Sequence, residues 1–100
     1  MTEISMESGV TVVKPGRNIV ASMADSFRED LKRVVEQEAV KKVTMDLTGV
    51  EMLDSVGLGL LIATHNSLSE RGGSLSIRGA GEDILKLLGT MRLDKHFHIE

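Results

Sequence analysis

The chain has 100 residues, 41% hydrophobic and 27% charged, with a net charge of −3; this is one domain, residues 1–100, whose single core buries roughly two-thirds of the unfolded surface and leaves no room for a second. It has no cysteine, Trp or Tyr, which excludes disulfides and thiolate metal sites, and the acidic balance leaves no basic, base-stacking footprint for a direct nucleic-acid partner. The start Met1-Thr2-Glu3-Ile4-Ser5 is acidic with no apolar run after it, and Val56 to Ala63 falls far below the ~20 residues of a membrane span, so a cytoplasmic protein without membrane insertion is expected.

Short β-like runs alternate with helical ones. Ile4 to Ser8 alternates apolar and polar, Ser8-Gly9 supplies a tight turn, and Val10 to Lys14 is rich in β-branched residues; together they predict a hairpin. Pro15-Gly16 suits the central positions of a type II turn that ends the second strand. Ser22-Met23-Ala24-Asp25 has the form of a capping box with Asp in the last place. From there Met23, Phe27, Leu31, Val34 and Val35 recur at helical spacing against a charged face of Asp25, Arg28, Glu29, Lys32, Arg33 and Glu36, predicting an amphipathic helix over 23–38.

Val43 to Leu47 reads as a strand ended by Thr48-Gly49. A second helix is expected from about Ser55 to Arg71, stopped by left-handed positions at Gly72-Gly73. Its first turns are apolar nearly all round, with Leu58, Leu61 and Ile62 on one side and Val56, Leu60 and Ala63 on the other. Such a helix is either deeply buried or offers its second face to a partner. Ser74 to Arg78 predicts another strand. A third helix over 82–89 has Glu82 and Asp83 in its first turn, Ile84, Leu87, Leu88 and Met91 on one face, and Gly89 at its end. Phe97 and Ile99 suit one last short strand. The order β-β-α-β-α-β-α-(β) implies an α/β domain with a mixed sheet of four to five strands and three main helices, parallel wherever a helix makes the crossover.

The most specific stretch runs from Val43 to Gly59. Asp46 and Asp54 end two extended pieces, and Asp54 is followed at once by Ser55-Val56-Gly57-Leu58-Gly59. Asp and Ser are helix-capping types. Gly57 and Gly59 lack side chains, so a partner surface is expected to approach the first helical turn closely, with the Ser55 hydroxyl exposed beside the helix start.

Asp46-Leu47-Thr48 followed by Asp54-Ser55-Val56-Gly57-Leu58-Gly59 resembles the signature of STAS domains, specifically the bacterial anti-sigma factor antagonists (anti-anti-sigma factors). The hairpin, the turn at 72–73 and the helix at 82–89 extend the resemblance over nearly the whole chain. It implies a STAS fold, no enzymatic activity and no cofactor. It also implies that Ser55 is phosphorylated by an anti-sigma factor that is an ATP-using serine kinase, and dephosphorylated by a PP2C-type phosphatase. The unphosphorylated form binds the kinase and frees the sigma factor. Asp54, Ser55, Val56, Gly57, Leu58 and Gly59 then form the partner surface, and Asp46 and Thr48 support the loop. Family members usually continue past the final strand into a C-terminal helix, which is either absent from this protein or not included in a sequence that stops at Glu100, and Val56 stands where Ser is commoner. A phosphate adds about −1.5 to −2 charges; a helix N-terminus accepts such charge, whereas Asp54, with Glu51 and Asp46 expected close by, makes the surface acidic. Modification is therefore expected to block docking without refolding the domain.

Blander readings stand beside these. Alone, Ser55 reads as a simple helix cap; with its flanking pattern the switch reading prevails. Asp46 and Asp54 as a metal or acid/base pair rank below roles in organising the loop. Gly57-Leu58-Gly59 lacks the third glycine of a dinucleotide fingerprint, and no Gly-Lys-Ser/Thr of a phosphate-binding loop is present. His96 and His98 would share a strand face but lack a third ligand, and His65 lies on the apolar stripe as a packed or rim residue. The competing class is a STAS accessory subunit of a membrane transport complex, docking on its ATPase through the same helix start as a static interface.

Overall fold

The computed structural model describes residues 2–37 and 39–100. Its first element is the hairpin of β1 (Glu3–Glu7) and β2 (Val10–Lys14). The turn is tight because Ser8 and Gly9 both take positive φ, 51° and 82°, the type I′ geometry whose twist matches paired strands. Gly16 has φ 68°, as the third position of a type II turn requires.

After it come α1 (Ala24–Val35), β3 (Lys42–Asp46), α2 (Ser55–Ser69), β4 (Ser74–Arg78), α3 (Glu82–Thr90) and β5 (His98–Ile99). One five-stranded sheet holds the strands in the order β1-β2-β3-β4-β5. Only β1 against β2 is antiparallel; β2, β3, β4 and β5 run parallel. Three successive helical crossovers that step the same way across a sheet, each right-handed, put all three helices on one face. The core agrees: Val13, Val43, Met45, Leu75 and Ile77 of the sheet join Phe27, Leu31, Leu61, Leu68, Ile84 and Leu88 of the helices in one buried cluster. These strand positions are in register (Val13 opposite Met45, Met45 opposite Ile77), which gives the helices a continuous apolar bed. No helix is long and apolar enough to cross a membrane among the described residues.

The helix ends differ from the local signals. Ser22 is no N-cap: it lies in a 3-10 turn, Ala21–Met23, that leads into α1, and no side chain caps either start from within that segment. At the other end, Gln37 N–H closes on Val34 O at 3.3 Å, tightening the last turn so that the helix stops at Val35. Glu38, the last residue of the expected helix, lies outside the described residues. Of the two glycines after α2 only Gly72 is left-handed (φ 76°). Gly89 lies inside α3; the left-handed residue after it is Arg92, φ 59°. Met91 therefore falls beyond the helix and is exposed instead of joining the buried face. β5 is only His98–Ile99, so His96 precedes the strand and does not share its face.

The all-round apolar start of α2 resolves into two parts. Leu58, Leu60, Leu61, Thr64 and Leu68 are buried, Leu60 in the contact with α1, while Val56, Gly59 and Ala63 remain exposed. Leu61 is completely buried at the helix–sheet interface. Leu61→Ala should cost about 2–5 kcal/mol, the usual range for a large-to-small core change, whereas Ala63→Ser should stay within about 0.5 kcal/mol of the parent. Urea unfolding monitored by circular dichroism measures both.

Candidate functional site

Parallel strands end together, and the loops leaving β3 and β4 meet the chain entering α1 at that end of the sheet. The loop after β3 is built by a segment far away in sequence. Asn18 Oδ1 accepts from the N–H groups of Glu51 (2.8 Å) and Met52 (2.9 Å). Ile19 N–H donates to Met52 O at 3.0 Å, and Asp54 N–H donates to Ile19 O at 3.2 Å, a parallel bridge between Ile19 and Leu53. Residues 51–54 are thereby fastened alongside Asn18 and Ile19 up to the first residue of α2.

Asp54 is the N-cap, with extended backbone (φ −90°, ψ −176°). Its Oδ1 accepts from Gly57 N–H at 2.9 Å, inside the helix it caps. Its Oδ2 accepts from Ala21 N–H, also at 2.9 Å, in the turn that starts α1. One carboxylate therefore satisfies orphan donors at two helix starts. The Gly57 N–H and then the Ala21 N–H, both bonding the charged form, hold the Asp54 carboxyl below the usual carboxylate range.

Because Asp54 is the cap, Ser55 is not. Ser55 is the first residue of α2, and its side chain is exposed. Next to it in α2 is Val56, 37% exposed, while Met52 lines a separate hollow with Glu51, Glu82 and Asp83. Gly59 and Ala63 continue the exposed strip along the helix, and no charged residue interrupts it before Glu70.

The two motif glycines do different things. Gly57 is buried, and a Cβ there would overlap the Ile19 carbonyl oxygen and sit 2.7 Å from Leu53 Cδ1. The close approach expected of a partner is made by the chain's own Ile19. Gly59 is open, with nothing near a Cβ. Leu58 points into the core at 7% exposure. Of the predicted surface residues, Ser55, Val56 and Gly59 face outward, and Gly57 and Leu58 lie beneath them.

Asp46 and Thr48 form a unit at the end of β3. Asp46 Oδ1 accepts from Thr48 Oγ1–H (2.6 Å) and Thr48 N–H (3.0 Å). Its Oδ2 lies 3.1 Å from Arg78 Nη2, and Arg78 also grips Glu7 with both nitrogens, at 3.2 and 3.3 Å. Burial raises the Asp46 carboxyl, but the Thr48 donors and Arg78 outweigh it and leave it below its ordinary value. Its charge is thus compensated inside the sheet, not added to an acidic ring around Ser55.

Sequence reasoning missed Asn18, Ile19, Ala21, Glu7 and Arg78. No local pattern marks them, since their partners lie 33 or more residues away or, for Arg78, 32 and 71. Among the described residues no group of three His, Cys, Asp or Glu side chains is placed to hold a metal. His65 packs edge-on against Phe97, ring centroids 5.5 Å apart, as a rim residue of the core.

A family model described as the STAS domain matches residues 2–100. The anti-sigma-B factor antagonist of Staphylococcus epidermidis is 31% identical over 71 residues, covering 71% of this chain and 66% of that relative. The crystal structure of an anti-sigma factor antagonist from Mycobacterium paratuberculosis superposes with a TM-score of 0.84 at 29% identity, covering 99% of this chain and 83% of the other. The Bacillus cell fate determinant SpoIIAA in its phosphorylated form has the same fold, TM-score 0.77 at 15% identity, with 100% of this chain and 91% of the other covered.

The geometry separates the glycines experimentally. Gly57→Ala should lose about 1–3 kcal/mol from overpacking against Ile19, and Gly59→Ala should gain up to about 1 kcal/mol from helix propensity, both read from urea midpoints. The Asp54 carboxyl is depressed on folding, so its contribution is present above the unfolded value of about 4 and is lost as pH falls through the lower folded value. Asp54→Asn should therefore be less stable than the parent at neutral pH, with the gap closing below about pH 4; thermal unfolding across that range checks the sign.

Proposed function

The chain belongs to the STAS domain family, and on that footing we propose that it is an anti-sigma factor antagonist whose binding is switched off by phosphorylation of Ser55. The observation that carries the reading is the division of labour at the start of α2: Asp54 does the capping, leaving an exposed Ser55 at the edge of an uncharged strip of Val56, Gly59 and Ala63. The curated relative and the Mycobacterium structure carry the name of anti-sigma factor antagonist, and one protein of this fold is known in a phosphorylated form.

In this reading the unphosphorylated strip docks on an anti-sigma factor that is also a serine kinase, and the sigma factor is released. Ser55 Oγ attacks the γ-phosphorus of ATP held by the kinase, its proton passes to a base of the kinase, and ADP leaves. The base and the nucleotide cradle belong to the partner. A PP2C-type phosphatase hydrolyses the phosphate and restores binding. Gly57 and Leu58 shape the strip from below, and Asp46 and Thr48 steady the loop that leads to it.

The dual cap sharpens how the added charge acts. A bare helix N-terminus takes a phosphate readily, but here the Asp54 carboxylate already holds the Gly57 N–H. A phosphate on Ser55 is left at the surface next to an ionised carboxylate, at the edge of the contact the strip would make. Like charge and lost desolvation then fall on the complex, not on the fold.

The test is incubation of the chain with its kinase and ATP, followed by mass spectrometry and binding measurements. One phosphoryl group should appear on Ser55, and Ser55→Asp should bind the kinase about tenfold to hundredfold more weakly with an unchanged melting temperature. Wild-type affinity in the phosphorylated protein would defeat the reading. An unmodified Ser55 in a chain that binds the ATPase of a transport complex would replace it with the static-interface role.

A further inference from the structure

β1 closes one side of the sheet, so one of its edges has no strand beside it. The tight turn decides what that edge offers. In a two-residue hairpin the pair flanking the turn, here Glu7 and Val10, exchanges hydrogen bonds, and such pairs recur at every second residue. The main-chain groups of Glu3, Ser5 and Glu7 therefore point at β2, and those of Ile4 and Met6 point outward.

Ile4 and Met6 also carry the exposed apolar side chains, 47% and 65% accessible. Their register opposite Val13 and Thr11 puts them on the helix-bearing face. Two hollows lie there between β1 and α1. One, of 440 Å³, is lined by Ile4 with Arg17, Asp30 and Arg33; the other, of 170 Å³, by Ile4 and Met6 with Val34 and Val40. Glu3 and Glu7 stand on the opposite face, at the two ends of the strand.

This pattern is hostile to a second copy. Antiparallel pairing of two β1 strands in full register sets each Glu3 against a Glu7, whose Arg78 partner is shared with Asp46 and so leaves that cluster net negative, and like charge disfavours the pairing. The same pattern suits a basic strand. β2 already occupies the other edge of β1 with that chemistry, Lys14 opposite Glu3 and Val13 opposite Ile4.

We propose that the free edge of β1 is a docking site for an extended segment of another protein, added as a sixth strand, with basic residues opposite Glu3 and Glu7 and apolar residues opposite Ile4 and Met6. Main-chain hydrogen bonds supply the attachment and the two hollows beside Ile4 and Met6 take the alternate side chains, the division of roles in strand addition. This surface is separate from the Ser55 strip and does not depend on the reading given to it.

The probe is an end-capped peptide with the core Lys-Val-Thr-Val-Lys, added to the full chain and followed by amide hydrogen exchange in NMR. Exchange at Ile4 and Met6 should slow by about tenfold or more at saturation, with Ser5 unchanged. Met6→Pro removes one outward N–H while leaving the ladder to β2 intact, and should abolish that protection. Glu3→Lys should shift preference toward a Glu-Val-Thr-Val-Glu peptide, and it keeps the test open if the proline variant fails to fold. No protection at millimolar peptide, equal binding of the acidic and basic peptides by the parent, or perturbation confined to α2 would overturn the proposal. So would protection of Ile4 and Met6 that grows with protein concentration alone, which would make a second copy the occupant.

Discussion

The carboxylate of Asp54 ties together parts of the chain that have no other reason to meet. A helix start leaves N–H groups without partners, and at the end of the sheet where α1, α2 and α3 all begin, the approach to α1 adjoins the start of α2. Placing one carboxylate between them, on Gly57 and on Ala21 at 2.9 Å each, fixes α2 relative to the approach to α1. The remaining bonds across this junction, from Ile19 and Asn18 to residues 51–54, extend the same attachment along the loop. The identity of Gly57 follows from it, because the Ile19 carbonyl lies where a β-carbon would be.

That arrangement leaves the Ser55 hydroxyl at the surface without a capping duty. Ser is among the preferred N-caps, and a Ser in that place would be tied to the backbone. Here the capping group is one residue earlier, so Ser55 projects outward from the first helical position. Charge added there meets Asp54 and whatever lies against the strip, while the core beneath, from Leu58 to Leu61, is already sealed. On the proposed reading, a phosphate there changes the surface charge of the strip and calls for no second conformation of the domain.

A second polar unit stabilises the sheet end independently. Arg78 on β4 reaches Asp46 on β3 and Glu7 on β1, spanning β2. It neutralises an acid that would otherwise be buried unpaired, and it removes Asp46 from the electrostatics of Ser55. The sheet thus carries one polar cluster, Glu7, Asp46 and Arg78, reaching from β1 to β4, and a separate acid, Glu3, that faces solvent at the other end of β1.

Much was legible beforehand because it rests on neighbours a few residues apart. The element order, the charged and apolar faces of α1, the hairpin turn at Ser8-Gly9 and the strand at Ser74–Arg78 all follow from short-range periodicity and turn chemistry. The Asp-Ser-x-Gly-Leu-Gly pattern likewise marked the start of α2. Local reasoning failed where a donor or acceptor had a closer competitor elsewhere in the fold. Ser22 is no cap because it lies inside the 3-10 turn Ala21–Met23 that leads into α1, a turn whose first N–H is held by Asp54, 33 residues on. Gly57 looked like an opening for a partner but is filled by Ile19, and Asp46 looked like part of an acidic rim but is matched by Arg78. Sequence alone determined which segments are helix or strand and where the exposed hydroxyl stands. Only the tertiary structure decided which polar group satisfies which, because that depends on the register in which distant segments pack.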